Sequence, residues 1–194
     1  MADYEYDVFF SYKRDELTRE WHEKVKVLLE YWIRQELNVT KIRIFMDTED
    51  IKTGDKWKQI IEKSLRNSKC LVGIWSPDYF HSRWCLSEWA SFRERDKIIK
   101  QDSPIILPAR YHDGDSFPEE ARNLQSRDFT EFNSTMAYFW KSEDGFEFEK
   151  KLKEFAKEIA EAIKNAPEYR DDFPIIIIEE QDVQEPKKIE RITV

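Results

Sequence analysis

Short apolar runs alternate along this chain with longer stretches in which hydrophobic residues recur at helical spacing. The runs are rich in β-branched and aromatic residues, a composition that predicts strands. We predict strands at residues 6–12, 41–46, 70–75 and 104–108. Because these runs are short and alternate poorly with polar residues, they are typical of a parallel sheet that is covered on both faces.

The stretches between the strands have the period of amphipathic helices. In the first of them Trp21, Val25, Leu28 and Trp32 lie three or four positions apart and share one face. Helices are predicted from residue 18 to 37, from 57 to 65, from 83 to 95 and from 145 to 165. Strands that alternate with helices predict an α/β fold with a single doubly wound, flavodoxin-like parallel sheet flanked by helices.

A C-terminal tail follows the last predicted helix. Pro167 marks the boundary, so we predict one domain at residues 4–166 and a tail at 167–194. The tail contains four consecutive isoleucines within residues 173–178, which would be an aggregation hazard in water. We therefore expect this segment to be covered, either by docking on the domain, for example as an extra strand, or by a partner.

Composition and charge argue against several classes of function. A net charge of −8 lacks the basic footprint of a nucleic-acid-binding protein, so we expect no nucleic-acid partner. No apolar run approaches the length of a membrane span, so we expect no membrane partner. Cys70 and Cys85 fall inside predicted regular elements, which favours core thiols in a reducing compartment. We expect a cytoplasmic protein.

The local signatures of several common α/β enzymes are missing from the sequence. The four glycines form neither a dinucleotide-binding fingerprint nor a P-loop, which excludes the usual hydride-transfer function. No Gly-x-Ser-x-Gly motif is present. The three histidines are scattered, with no Cys or His at ligand spacing, so we expect no metal site.

Residues 76–92 join the end of a strand to a helix that carries a carboxylate. Ser82 is the predicted N-cap of this helix. Trp84 and Glu88 lie four positions apart on one helical face, close to the edge where open α/β sheets bind ligands. A carboxylate and an indole therefore share one wall of a predicted crevice. The alternative is a partly exposed surface glutamate, with Trp84 packed in the core.

Taken in order, these motifs resemble those of the Toll/interleukin-1 receptor (TIR) domain, particularly of its bacterial and plant branches. Residues 6–12 resemble the first-strand box of that family, and residues 45–54 resemble its second strand and the BB loop that follows. Trp84-Cys-x-x-Glu88 is similar to its catalytic-helix motif, and residues 104–108 resemble its fifth strand. The resemblance covers residues 4–165, and we predict membership of the bacterial NAD-cleaving branch.

The resemblance implies an enzyme that cleaves the nicotinamide–ribose bond of NAD+, with NAD+ as substrate and no cofactor. Glu88 would be the catalytic residue, and Lys13 and Arg14 would face the phosphates. The substrate-binding residues implied by the resemblance are Phe10, Ser11, Tyr12, Lys13, Arg14, Asp47, Trp84 and, more weakly, Trp57. The BB-loop residues implied to gate the site and to mediate assembly are Asp50, Ile51 and Gly54.

The resemblance also implies partners and products. The products would be nicotinamide and ADP-ribose, or a cyclic or derived ADP-ribose signal that a downstream effector senses in anti-phage defence. Self-association through TIR–TIR contacts would complete the site. Two alternatives remain, namely a non-enzymatic TIR scaffold that acts by association alone and a nucleoside deoxyribosyl transferase, which also uses a glutamate on this type of fold.

Overall fold

The computed structural model describes residues 3–47, 55–101, 103–180 and 183. Within these residues one sheet of five parallel strands has the order β2-β1-β3-β4-β5. The strands are β1 (Tyr6–Tyr12), β2 (Ile44–Met46), β3 (Ser68–Trp75), β4 (Ile106–Arg110) and β5 (Arg127–Asp128). The predicted doubly wound, flavodoxin-like architecture is confirmed.

Helices connect the strands and cover both faces of the sheet. They are α1 (Arg19–Leu37), α2 (Asp55–Arg66), α3 (Pro77–Phe80), α4 (Arg83–Ile99), α5 (Glu119–Arg122) and α6 (Glu143–Lys164). Two 3-10 helices, Thr130–Phe132 and Ala137–Lys141, precede α6. The predicted α1 and α6 are confirmed within two residues at each end, and α4 runs four residues further than predicted.

Alternate residues of the central strands face opposite helical layers. Val8 and Phe10 pack in one cluster with side chains of α1 and α6. Phe9 and Leu71 pack in a second cluster with side chains of α2 and α4. Because neighbouring strand residues point to opposite faces, Ser11 shares the α4 side with Phe9. This alternation decides which β1 side chains can meet residues of α4.

Three short elements were missed by the sequence predictions. The helix α3 begins directly after β3, where the sequence predicted no helix before residue 83. The helix α5 and the strand β5 lie between the predicted strand at 104–108 and the predicted helix that begins at residue 145, where no element was predicted. Elements of two to four residues are too short to display a hydrophobic period, so pattern analysis cannot detect them.

The proline at position 108 lies inside β4, although the sequence suggested that it closes the strand. Ile105 accepts a hydrogen bond from Leu71 and Tyr111 donates one to Trp75, so the odd-numbered backbone groups face β3. The backbone nitrogen of Pro108 therefore faces the other side, which β5 reaches only at Ala109 and Arg110. A proline at this point costs no ladder hydrogen bond.

Residues 173–180, which we call the C-terminal strap, lie along α4. Phe173 is buried at 2% exposure, and residues 174–178 are half-buried. Residues 173–178 form no regular element and do not pair with the sheet. Ile176 N–H donates to Ser91 Oγ at 2.8 Å, and Ile178 N–H donates to Ser87 Oγ at 2.9 Å. The strap is thus attached to the helix that carries Glu88.

Both cysteines are buried, free thiols, as predicted. Burial raises the pKa of Cys70 to about 12. In the part of the chain that the structure describes, no helix combines the length and the apolar character needed to cross a membrane.

Candidate active site

The carboxyl ends of β1 and β2 and the first turns of α4 enclose a cavity of about 210 Å³. Its lining residues are Phe9, Phe10, Tyr12, Lys13, Arg14, Asp47, Ser82, Trp84, Cys85 and Glu88. Open α/β sheets bind ligands at the edge where their strands end. The cavity brings together predicted site residues from three separate parts of the sequence, namely the end of β1, the end of β2 and the start of α4.

The start of α4 positions Glu88. Ser82 is the N-cap, as predicted, and its hydroxyl accepts a hydrogen bond from Cys85 N–H at 3.5 Å. Glu88 lies one turn further along and is 7% exposed. The alternative of a partly exposed glutamate was wrong, because the side chain is buried and Ser11 of β1 contacts its carboxyl group. The local helical period could place Glu88 on a face but could not show what packs against that face.

Burial changes the ionisation of Glu88. Loss of hydration raises its pKa from 4.5 to about 8, because the charged form is disfavoured in the interior. A hydrogen bond from Ser11 lowers the pKa, the charge of Asp47 raises it and the charge of Arg14 lowers it. The carboxyl group therefore titrates near neutral pH, as general acids and bases often do at functional sites.

Ser11 occupies a different place from the one predicted for a substrate-binding residue. It is 1% exposed and is not part of the cavity lining. Its hydroxyl donates to Glu88 Oε2 at 2.5 Å, and it also lies 2.8 Å from the hydroxyl of Tyr79. Ser11 points toward α4 because it lies on the same face of β1 as Phe9. It contacts the carboxylate and not the cavity.

Charged residues form the rim of the cavity. Arg14 makes an ion pair with Asp47, which joins the loop after β1 to the end of β2. The hydroxyl of Tyr12 donates to the backbone carbonyl of Asp47 at 3.0 Å. Lys13 is exposed and also lines the cavity. Two cations at the opening can attract an anionic ligand. The role of facing the phosphates that the resemblance implies for Lys13 and Arg14 stays a prediction.

Trp84 also lines the cavity. Its ring is half-buried, faces the cavity and packs against the cluster that contains Phe9 and Leu71. The guanidinium of Arg83 lies 4.9 Å from the ring centre. The two interpretations from sequence therefore both hold in part, because the indole packs against the core and also presents a surface to a ligand.

Several predicted site residues lie outside the described residues. Asp50, Ile51 and Gly54, to which gating and assembly were attributed, are in this group. The backbone of Trp57 belongs to α2, but its side chain is also outside the described part. The roles suggested for these four residues stay predictions.

Some residues of this site were not predicted from the sequence to belong to it. Phe9, Ser82 and Cys85 line the cavity, and Tyr79 contacts Ser11 from behind it. The position of Cys85, three residues before Glu88, was a usable signal because such residues share a helical face. The helical and strand patterns give no sign of the contact between Tyr79 and Ser11, because the two residues lie 68 positions apart in the sequence.

Larger depressions than the cavity at Glu88 lie elsewhere on the described surface. One of about 1050 Å³ is lined mainly by residues 163–172, and a groove of about 620 Å³ lies between β4 and α6. Its charged lining residues include Arg127, Lys157 and Glu161, which are exposed. Across the described ranges, no three His, Cys, Asp or Glu side chains lie close enough to hold a metal ion. The cavity at Glu88 differs from this groove because it contains a buried carboxyl group.

The chain is similar to plant proteins over part of its length. It is 29% identical over 82 residues to the Brachypodium distachyon protein named "Probable 2' cyclic ADP-D-ribose synthase BdTIR", which covers 39% of this chain and 37% of that protein. It is 26% identical over 106 residues to the "Disease resistance-like protein CSA1" of Arabidopsis thaliana, which covers 50% of this chain and 9% of that protein. The chain thus spans only a minor part of the length of these curated relatives.

Solved structures and a family model give two further similarities. The TIR domain of the Toll-related receptor TRR-2 from Hydra magnipapillata aligns with a TM-score of 0.44 at 20% identity, covering 75% of this chain and 98% of that chain. A family model described as the TIR domain matches residues 8–139. That range runs from β1 into the second 3-10 helix and includes every residue that lines the cavity. The chain therefore belongs to the TIR domain family.

Proposed function

We propose that this chain is an NAD+ nucleosidase, which cleaves the bond between nicotinamide and ribose. The observation that carries the proposal is Glu88, a buried carboxyl group with a raised pKa that faces a cavity at the carboxyl edge of the sheet. Family membership adds support, because a similar plant protein carries the name of a cyclic ADP-ribose synthase.

The chemistry of this cleavage needs a negative charge beside the sugar. When the bond from ribose C1′ to the pyridinium nitrogen breaks, its electron pair stays on nitrogen and nicotinamide leaves as a neutral molecule. Positive charge develops on the ribose, which gains oxocarbenium character. The Glu88 carboxylate would stabilise that charge, and more strongly than in water because the site is buried. Water then adds to C1′ and loses a proton to give ADP-ribose, or a hydroxyl of the same molecule adds and gives a cyclic product.

The rim and the size of the cavity suit one end of the substrate. A volume of about 210 Å³ is below the roughly 300–1,000 Å³ of typical small-molecule sites. We infer that the cavity holds the nicotinamide ribose, while the remainder of NAD+ extends across the rim. Lys13 and Arg14 would contact the diphosphate, and Trp84 would pack against a ring or the ribose. A pyridinium cation near Glu88 would favour its ionised form.

Glu88→Gln tests this proposal. The variant keeps the size and hydrogen-bonding capacity of the side chain but cannot carry the negative charge. We expect nicotinamide release from NAD+, measured by chromatography, to fall about 100-fold or more. Glu94→Gln is the matched control, because it removes one negative charge from the same helix at a half-buried position paired with Lys97. The control should release nicotinamide at the parent rate.

Two outcomes would contradict the proposal. If the purified parent chain releases no nicotinamide at any protein concentration, a non-enzymatic scaffold becomes the better explanation. If Glu88→Gln is as fast as the parent, Glu88 is not the catalytic group. Exchange of nucleobases on deoxynucleosides, in place of NAD+ cleavage, would instead indicate deoxyribosyl transfer.

The biological setting is part of the proposal. The relative named as a disease resistance-like protein suggests defence signalling, in which the product or the loss of NAD+ acts on a downstream effector. The relatives named above come from plants and a metazoan, so the bacterial branch, the anti-phage role and the cytoplasmic location stay predictions. The product chromatogram of the parent reaction separates ADP-ribose from a cyclic or conjugated product.

A further inference from the structure

A chain of three buried side chains leads from the interior of the protein to the cavity. The hydroxyl of Tyr79 lies 2.8 Å from Ser11 Oγ, which lies 2.5 Å from Glu88 Oε2. Tyr79 is 0% exposed and Ser11 is 1% exposed. The three residues belong to α3, β1 and α4, so the fold alone brings them into one hydrogen-bonded series.

The direction of each hydrogen bond follows from the chemistry of the groups. In the ionised form that the proposed reaction needs, the Glu88 carboxylate only accepts, so Ser11 donates its single hydroxyl proton to Glu88. Ser11 Oγ then offers only lone pairs to Tyr79, and Tyr79 must donate. Burial raises the pKa of Tyr79 well above its ordinary value, so the phenol keeps its proton at any pH suitable for an assay.

Tyr79 is held firmly in place. Ser76 caps the short helix α3, and its hydroxyl accepts a hydrogen bond from Tyr79 N–H at 3.2 Å. The Tyr79 ring packs edge-on against Phe80, with ring centres 5.2 Å apart, and also lies near Trp75 at 6.5 Å. A side chain that is fixed at both its backbone and its ring can hold its hydroxyl at one point.

We propose that Tyr79 and Ser11 are positioning residues that hold Oε2 of Glu88 and so present Oε1 to the substrate. The inference rests on the proposed NAD+ cleavage. Among the described residues, Ser11 is the hydrogen-bond partner of Glu88, which leaves Oε1 for a molecule in the cavity. Tyr79 does not line the cavity and therefore acts through Ser11.

Other charged groups near Glu88 also influence its titration. Asp47 at the end of β2 and Arg14 in the loop after β1 act in opposite directions on the carboxyl group. Cys85 on α4 and Tyr79 on α3 are neutral, because burial raises the pKa of both. Tyr79→Phe removes the phenol hydroxyl and leaves Asp47, Arg14 and Cys85 unchanged. The effect of this variant therefore measures the contribution of the hydrogen-bonded series.

Tyr79→Phe removes only the hydroxyl and keeps the ring. We expect kcat for NAD+ cleavage to fall about five- to tenfold with KM unchanged, because Glu88 is held less well once Ser11 loses its donor. The pH profile of kcat/KM, which rises with the ionisation of Glu88, should move to higher pH. Tyr111→Phe is the matched control, since it removes another buried tyrosine hydroxyl that donates to a single carbonyl, that of Asn133.

A double-mutant cycle tests whether Tyr79 acts through Ser11. Ser11→Ala should lower kcat at least as much as Tyr79→Phe. In the Ser11→Ala background Tyr79→Phe should cause no further loss, because the connection to Glu88 is already broken. Losses that multiply, as for independent sites, would overturn the proposed order of the three residues.

An NMR titration of the Glu88 carboxyl carbon in the free protein separates this inference from the proposed function. The signal is assigned by its absence in Glu88→Gln. We expect the Glu88 pKa to rise in Ser11→Ala and, by less, in Tyr79→Phe, with no change in Tyr111→Phe. These shifts without NAD+ cleavage would support the hydrogen-bonded series and reject the proposed reaction. NAD+ cleavage by the parent, with an unchanged titration and unchanged kcat in Tyr79→Phe, would reject the positioning role.

Discussion

The ionisation of Glu88 has consequences for stability as well as for chemistry. A partly exposed glutamate would contribute little to the free energy of unfolding. Glu88 is instead buried, and its pKa of about 8 lies far above the 4.5 of an unperturbed glutamate. Between these two values the folded protein binds the proton more tightly than the unfolded chain does. The contribution of Glu88 to the free energy of unfolding is therefore greatest below pH 4.5. This contribution decreases as the pH rises from 4.5 through 8.

We predict that Glu88→Gln becomes increasingly more stable than the parent between pH 5 and pH 8. Glutamine never ionises, so the variant avoids a loss that approaches about 1.4 kcal/mol per pH unit in the parent. In a chain of this size each kcal/mol corresponds to roughly 2–4 °C in melting temperature. Melting curves at the two pH values measure the effect.

The matched variant for this experiment is again Glu94→Gln. Its melting temperature should differ from that of the parent by the same small amount at both pH values. A difference between Glu88→Gln and the parent that does not change with pH would show that the Glu88 carboxyl does not titrate in this range.

At the scale of elements, α4 contacts the cavity with one face and the C-terminal strap with another. Trp84, Cys85 and Glu88 face the cavity. The other face carries Arg83, Ser87, Ser91 and Arg95, which are spaced four residues apart and all contact the C-terminal strap. Residues four positions apart are neighbours on the surface of a helix, so these four form one continuous row. One helix therefore joins the candidate site to the end of the domain.

The two serines of that row act as both donors and acceptors. Each hydroxyl donates to the carbonyl four residues back, Ser87 to Arg83 at 2.6 Å and Ser91 to Ser87 at 2.7 Å. The lone pairs that remain accept the backbone N–H groups of Ile176 and Ile178. The buried guanidinium of Arg95 lies 4.2 Å from the ring centre of Phe173 and completes the attachment.

We predict that Ser87→Ala combined with Ser91→Ala loosens the strap. The strap amides at positions 176 and 178 lose their acceptors, and their hydrogen exchange should accelerate roughly tenfold or more. Exchange in β1 and β3 should not change, because the strap does not pair with the sheet. Ser116→Ala, at an exposed serine in the loop before α5, is the control. Equal protection of the two amides in the double variant would show that packing of the isoleucines alone holds the strap.

At the scale of the whole molecule, we predict that a second copy of the chain contributes to the site. The cavity of about 210 Å³ is below the roughly 300–1,000 Å³ of typical small-molecule sites. The family resemblance also implied that self-association contributes to activity. A second copy could add a wall to the rim formed by Lys13, Arg14 and Asp47, and this addition would increase the contact with NAD+.

We predict that NAD+ cleavage per molecule of protein increases with protein concentration. A dilution series that measures nicotinamide release, together with the molecular mass in solution at each concentration, tests this expectation. Asp50→Ala and Gly54→Pro, in the loop to which assembly was attributed, should lower activity more than they lower the melting temperature. Activity per molecule that stays constant across the series would indicate a self-sufficient monomer.

Local sequence determined the longer elements and the location of the candidate site. The four-residue spacing of Trp84 and Glu88 places them on one helical face, and Ser82 begins that helix because its hydroxyl can cap a free N–H group. Strand composition and alternation with helices predicted the parallel sheet, whose carboxyl edge holds the cavity. These features depend on the backbone period and on neighbours a few residues apart, which a single sequence displays.

Only the tertiary structure decided how the site is built and how it titrates. Ser11 and Glu88 lie 77 positions apart in the sequence, and their hydrogen bond exists because β1 and α4 pack together. Tyr79 joins them from a helix too short to predict, and the strap lies on α4, where two serine hydroxyls accept its N–H groups. Burial, and with it the pKa of Glu88, depends on every element that excludes water from the carboxyl group. The combined effect of these distant parts of the chain on the Glu88 pKa cannot be obtained from local spacing.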